Sequence, residues 1–442
     1  MYFCALKYFL LVISNFPMKS INFITLGCSK NNVDSEVLAA QYSKMGYQVV
    51  HESDRPGDIV VINTCCFIND AKEESIDTIL TQLERKKAGI VKTVYVVGCL
   101  AQRYKEDLQQ TLPEVDGFYN FAELHLMLKT DRFDLLEAHD RLLSTPKHYA
   151  YLKISEGCDR SCSYCAIPFI RGKQISKPID LLVEEATRLA DNGVKELMLI
   201  AQDLTWYGVD IYQSQQLEKL LRKIAQIDGL EWIRLHYAYP MGFPYEILEV
   251  MSEYSNICKY LDIPLQHING DILKSMNRGG NSMQLYKLVE TIRNKVPDIA
   301  IRTTLISGYP TETREQHKEL VRFVEEMRFE RLGVFSYSQE EGTPAFSLGD
   351  PIKVSEKNRR LEELMTLQEE ISLALNEKRV GSAMRVMVDE EADNFYIGRT
   401  EFDSPEVDNE VLINKNELLT VGEFYPIQIE KADYFDLYGK KI

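Results

Sequence analysis

The run Cys158-Asp-Arg-Ser-Cys162-Ser-Tyr-Cys165 constrains this chain more than any other feature. Spacings of three and two residues let one short loop wrap a single small inorganic body. Three thiolates can hold three irons of a cubane 4Fe-4S cluster and leave the fourth iron open, which makes it a place for chemistry rather than an electron relay. A structural zinc site would want four ligands, commonly paired CxxC or histidine. The nearest histidines on either side, His148 and His236, are not spaced as such partners. Nine cysteines in a long acidic chain form no secreted disulfide pattern either.

Length suggests about three domains, and a 45% hydrophobic, 27% charged composition suits a globular chain. The formal charge of −16 argues against broad nucleic-acid binding and favours a basic partner. The apolar patch Tyr8–Ile13 is too short to cross a bilayer. Residues 1–18 read as a non-native start extension, with Met18 as the true start, and the reading is of a cytoplasmic chain without a membrane segment.

Residues 19–138 alternate strand and helix: strands over 21–26, 58–64 and 93–97, helices over 33–45, 71–87 and 104–111. This order predicts a parallel sheet with right-handed crossovers. Cys28, Cys65 and Cys99 each sit just past a strand's carboxyl end, where ligand sites of open α/β sheets collect. They therefore predict a second three-cysteine cluster site. The alternative is three buried, unrelated cysteines. Cys66 is set aside because its side chain points the other way in an extended chain, and Cys258 because it suits a core.

Residues 139–375 carry the first cysteine loop and further strand-helix units, with strands over 195–200, 232–236, 260–264, 301–306 and 331–337. About six such repeats predict a partial (βα)6 barrel with catalytic residues at its carboxyl rim. A helix over 355–378 carries Leu361, Leu364, Met365, Leu367 and Ile371 as a packing stripe. Residues 376–442 switch to short strands, an OB-like β-barrel. From 379 onward seven Arg and Lys face fourteen Asp and Glu. Phosphate binding needs cations, so this barrel should seek a basic protein surface.

The CxxxCxxC loop followed by Ala166-Ile167-Pro168 looks like the signature of the radical S-adenosylmethionine (SAM) enzymes. From Met18 onward the chain resembles the methylthiotransferases: a three-cysteine amino-terminal domain, a radical SAM core and a TRAM barrel. The strings that carry the resemblance are Leu26-Gly27-Cys28-Ser29-Lys30-Asn31, Asn63-Thr64-Cys65-Cys66-Phe67-Ile68, Asp262-Ile263-Pro264-Leu265-Gln266-His267 and Tyr434-Phe435-Asp436-Leu437-Tyr438-Gly439. They look most like the branch that modifies an aspartate of small-subunit ribosomal protein twelve. Two departures stand out: Cys66 where glycine is expected, and Ser29 where proline is common.

The resemblance implies two 4Fe-4S clusters and SAM as cofactors. Cys158, Cys162 and Cys165 would hold the cluster that cleaves SAM to a 5′-deoxyadenosyl radical. Cys28, Cys65 and Cys99 would hold the cluster that presents the sulfur. It also implies an electron donor, a basic ribosomal protein substrate, free or within the subunit, and no tRNA partner. Weaker candidates for SAM contact are Tyr164, by stacking near adenine, Gln202 and Asp203 at a strand end, and Gly308 in Thr304–Glu312. Packing or a tight turn explains each of these too. Gln266 and His267 end another strand, where a histidine either binds substrate or merely satisfies the rim; the reading leans slightly toward function. The rivals are a tRNA adenosine methylthiotransferase, whose barrel should be basic, and a noncatalytic iron-sulfur sensor.

Overall fold

A computed structural model describes residues 19–54, 57–415 and 418–442; the start extension read from the sequence lies outside them. Two compact units divide at Ser144.

The first unit is a five-stranded parallel sheet in the order β2-β1-β3-β4-β5. Its strands are β1 Ser20–Thr25, β2 Gln48–His51, β3 Ile59–Thr64, β4 Thr93–Gly98 and β5 Gly117–Phe118. Helices Ser29–Lys44, Asn69–Lys87 and Cys99–Thr111 are the crossovers. Val60, Val61 and Ile62 are fully buried in succession, as a strand covered on both faces requires. β2 and β5 escape the sequence reading because they are short edge strands with little apolar signal.

The second unit holds a six-stranded parallel sheet in the order β13-β12-β11-β10-β9-β6. These strands are β6 Tyr149–Lys153, β9 Glu196–Ile200, β10 Trp232–Leu235, β11 Ile257–Asp262, β12 Ala300–Ser307 and β13 Arg331–Ser336. The small pair β7 Ser155–Glu156 and β8 Ile175–Ser176 flanks the cysteine loop. β13 and β6 are the two edges, so the curved sheet stays a partial barrel. The closing module is a closed barrel, β14 Ala383–Glu391, β15 Phe395–Arg399, β16 Val411–Asn414, β18 Leu437–Lys441 and β17 Phe424–Ala432 in spatial order. Its fifth strand, Leu437–Lys441, is missed by the sequence reading because it is short and half polar. Helix Val354–Glu377 buries Lys357, Arg360, Leu364, Gln368 and Ile371. Leu361, Met365 and Leu367 of the expected stripe are only partly buried. The polar members succeed inside because each is bonded: Lys357 to the Tyr337 carbonyl, Arg360 to Glu312, Gln368 to the Phe329 carbonyl.

The closing barrel and the core it is packed against exchange charge in both directions. Glu196, at the start of β9, accepts from Arg234 at 2.7 Å and from Arg399 at 2.8 Å. Arg399 also binds Asp389 at 2.6 Å. The β15–β16 connection places Asp403 on Arg331 (2.9 Å) and Asp408 on Tyr260 (2.7 Å) and Arg302 (3.3 Å). Burial alone would raise the Glu196 carboxyl, but Arg399 and Arg234 more than offset this and hold it below its ordinary range. Removing it leaves the buried Arg234 guanidinium without a carboxylate and Arg399 with Asp389 alone. Glu196→Ala is expected to cost about 3–5 kcal/mol, read as a lower denaturation midpoint of the second unit.

Candidate functional site

In the first unit, each crossover helix begins just after a strand that ends in a cysteine-bearing turn. Cys28 precedes helix Ser29–Lys44, Cys65 follows β3, and Cys99 opens the helix after β4. β1, β3 and β4 are neighbours in the sheet, so the three turns lie side by side. A Cβ built on Gly27, whose φ is +96°, would lie 2.7 Å from the Cys65 sulfur, so Cys65 points at the turn that carries Cys28. Burial, with Cys28 and Cys99 adding to it, pushes the Cys65 thiol up to about 12. Cys66 is fully buried and feels Cys99 and Arg103, but Cys28 is not among its main influences. Of the adjacent pair, Cys65 is the one that faces both other turns.

Asn31 ties these turns together. Its side-chain amide donates to the Leu26 carbonyl at 2.7 Å and to the Thr64 carbonyl at 3.1 Å. Asn63 donates to the Asn31 carbonyl (2.9 Å) and to Ser35 (3.0 Å). Pattern reading passed over Asn31; its place in the helix's first turn, one strand-end away from two backbones, is its only signal.

In the second unit, the loop after β7 is pinned from two sides. The Cys158 amide donates to the Gly172 carbonyl at 3.1 Å. The Ser163 amide donates to the Met276 carbonyl (2.9 Å), and Asn277 donates to the Ser161 carbonyl (2.7 Å). The Arg160 amide points at the Cys158 sulfur, 3.4 Å away. Arg278 donates to the Cys162 sulfur at 3.6 Å and to the Tyr164 hydroxyl at 2.9 Å. Burial pushes the Cys158 thiol up to about 11 and Cys165 to about 12. Free thiols would stay neutral there, whereas iron would draw their protons off. Among the described residues no three Cys, His, Asp or Glu side chains converge tightly enough for one metal ion. Three free thiols on one loop, and three more on turns of neighbouring strands, are the donor type that iron-sulfur clusters take.

Comparison with known proteins settles the family. Residues 20–120 match the family described as Uncharacterized protein family UPF0004, residues 152–324 the Radical SAM superfamily and residues 380–442 the TRAM domain. The chain is 52% identical to the ribosomal protein uS12 methylthiotransferase RimO of Christiangramia forsetii, over 96% of this chain and 94% of that protein. It is 51% identical to the RimO of Cytophaga hutchinsonii, over 95% and 97%. The RimO of Bacteroides thetaiotaomicron is 52% identical over 96% and 98%. The chain belongs to the RimO family of radical SAM methylthiotransferases. In fold it also resembles the radical SAM methyltransferase TsrM from Kitasatospora setae, with a TM-score of 0.55 at 13% identity over 85% of this chain and 79% of that one.

In this RimO-family chain the weaker sequence candidates divide. Gln202 donates to Glu156 at 3.0 Å, and its own carbonyl oxygen is buried without a partner, an acceptor left over at the sheet's carboxyl rim. Glu156 is in turn held by Lys153 (2.7 Å) and Arg171 (3.1 Å). Asp203 is engaged: it binds Arg160 at 2.7 Å and caps the following turn through Thr205. Arg160 lies between the rings of Trp206 (4.4 Å) and Tyr239 (4.1 Å), so Asp203 acts on the cysteine loop through Arg160. Tyr164 packs against the cluster of Ile272, Met276, Tyr309, Tyr337 and Ala345. Gly308 has φ +74°, and a Cβ there would sit 2.6 Å from the Lys357 side chain. Its amide donates to Glu312, which closes the strand-to-helix turn. His267 is fully buried, accepting from the Asn269 amide at 3.0 Å and facing Glu312 at 3.5 Å. This arrangement explains it as a satisfied core histidine and corrects the substrate reading.

Asn31→Ala would leave the buried Thr64 carbonyl and the half-buried Leu26 carbonyl without this donor. A loss of about 1–3 kcal/mol is expected, read in the unfolding midpoint of the first unit. Glu312 supplies a pH signature. Burial would raise its carboxyl, but His267, His317 and Arg360 outweigh that and hold it at about 2. An unfolded glutamate titrates near about 4.3. The stability it contributes is therefore full above that pH and is lost as pH falls toward 2. Urea midpoints measured from pH 5 to pH 3 should fall more steeply in the parent than in Glu312→Gln.

Proposed function

We propose that this chain places a methylthio group on the β-carbon of an aspartate in ribosomal protein uS12. The observation that carries the reading is the pair of three-thiol sites at strand ends, in a chain about half identical to RimO over nearly its whole length. Cys158, Cys162 and Cys165 would hold the cluster that binds SAM, and Cys28, Cys65 and Cys99 the second cluster. When bound, these groups and SAM supply one-electron cleavage, hydrogen abstraction from an unactivated carbon, and a methylated sulfur. An external electron donor completes the set.

The chain's own residues orient and enclose. Lys153 and Arg171 fix Glu156, which fixes the Gln202 amide, and the acceptor that remains suits a donor group of SAM. Asp203 holds Arg160, and Arg160 directs its amide at Cys158. Asn31 keeps two of the amino-terminal thiol turns in register. Burial of Cys65, Cys99 and Cys162 limits access of water to the sites. A cytoplasmic location fits a ribosomal protein substrate, and no described helix is long and apolar enough to cross a membrane.

Anaerobic reconstitution should give about eight irons per chain, and Cys28→Ala about four. Cys28→Ala should still cleave SAM to 5′-deoxyadenosine under dithionite but transfer no methylthio group, whereas Cys162→Ala should lose both. Mass mapping of uS12 after incubation reads the product. Normal transfer by Cys28→Ala would overturn the second site, and modification of tRNA instead of uS12 would overturn the substrate.

A further inference from the structure

Arg278 has an unusual electrostatic position. The described residues include five arginines that are more than nine-tenths buried: Arg171, Arg234, Arg278, Arg360 and Arg399. Four of them meet a carboxylate: Arg171 on Glu156, Arg234 on Glu196, Arg360 on Glu312, and Arg399 on Glu196 and Asp389. Arg278 meets none. Its guanidinium lies 4.6 Å from the Tyr239 ring. One nitrogen donates to the Cys162 sulfur and the Tyr164 hydroxyl, and another to the Pro264 carbonyl. The remaining Nε is buried with no partner. Aromatic, hydroxyl and carbonyl groups supply no full negative charge, and a buried cation without one is costly.

We propose that the counter-charge of Arg278 is the thiolate-ligated cluster itself, and that Arg278 raises the reduction potential of that cluster through Cys162. The inference rests on the reading of Cys158, Cys162 and Cys165 as cluster ligands. Each reduction moves one electron from an external low-potential donor, which is oxidised, onto the cluster; no bond breaks and no group transfers. A fixed positive charge beside a ligand sulfur stabilises the added electron, and an N–H on that sulfur does the same by drawing its charge. Arg160 cannot fill this role equally, because Asp203 already cancels its charge. Arg278 is a positioning residue, acting on the iron only through a ligand.

The test uses the full-length chain with Cys28, Cys65 and Cys99 changed to alanine, so that one cluster remains. Midpoint potentials are measured without SAM by EPR-monitored titration against titanium(III) citrate, with iron counted in each sample. For Arg278→Gln the oxidised-to-reduced ratio at a fixed ambient potential should rise about tenfold, equivalent to about 59 mV downward for a one-electron couple. Arg278→Lys, which keeps the charge but loses the fork, should fall between the two. An iron-loaded Arg278→Gln with the parent's midpoint overturns the inference. If Arg278→Gln fails to load, an iron-loaded Arg278→Met with the parent's midpoint overturns it instead, leaving the residue a structural one. A parent that binds no four-iron cluster on Cys158, Cys162 and Cys165 sinks the functional reading itself.

Discussion

Parallel strands all end on the same edge of their sheet, and side chains just past those ends must share the space beyond it. Both candidate sites use this constraint. In the first unit, β1, β3 and β4 lie side by side and deliver Cys28, Cys65 and Cys99 from turns that lead into helices. In the second, the cysteine loop follows the first strand pair, and Gln202 and Asp203 leave the neighbouring β9 at the same rim. Neither site needs a metal-binding motif contiguous along the whole chain. The sheet brings distant positions together, and hydrogen-bonding side chains such as Asn31 hold the turns in place.

Buried charge is the second organising feature, and it is deployed in two ways. Where the closing barrel meets the partial barrel, arginines and carboxylates neutralise one another in pairs and triads. Loss of a single partner leaves a buried charge poorly compensated, which is costly, so these networks help fix the packing of the two modules. Beside the cysteine loop the arrangement is different. Arg160 is neutralised by Asp203, while Arg278 faces the Cys162 thiol without a carboxylate. Loop geometry and loop electrostatics are thus set by two different guanidiniums.

The order of strands and helices and the closing all-β module were legible because apolar periodicity and turn residues are local signals. Short edge strands such as Gln48–His51 and Leu437–Lys441 were not, since little apolar pattern marks them. The helix Val354–Glu377 showed a leucine stripe but buries Lys357, Arg360 and Gln368 instead of several of those apolar residues. Their bonding partners come from other strands and loops, which no local window contains. His267 misled for the same reason: its strand-end position suggested function, and only the distant Glu312 reveals its role in the core.

Sequence by itself determined which atoms are available: six thiols in two spacings, a succession of βα units, and an excess of acid in the last module. Tertiary structure decided which of those atoms meet. It set the Cys65 sulfur against the turn that carries Cys28, turned Asp403 and Asp408 inward onto core arginines, and left Arg278 beside Cys162 with no carboxylate. Periodicity follows from the backbone geometry of each element, whereas the pairing of buried charges depends on residues tens to hundreds of positions apart brought within a few ångströms.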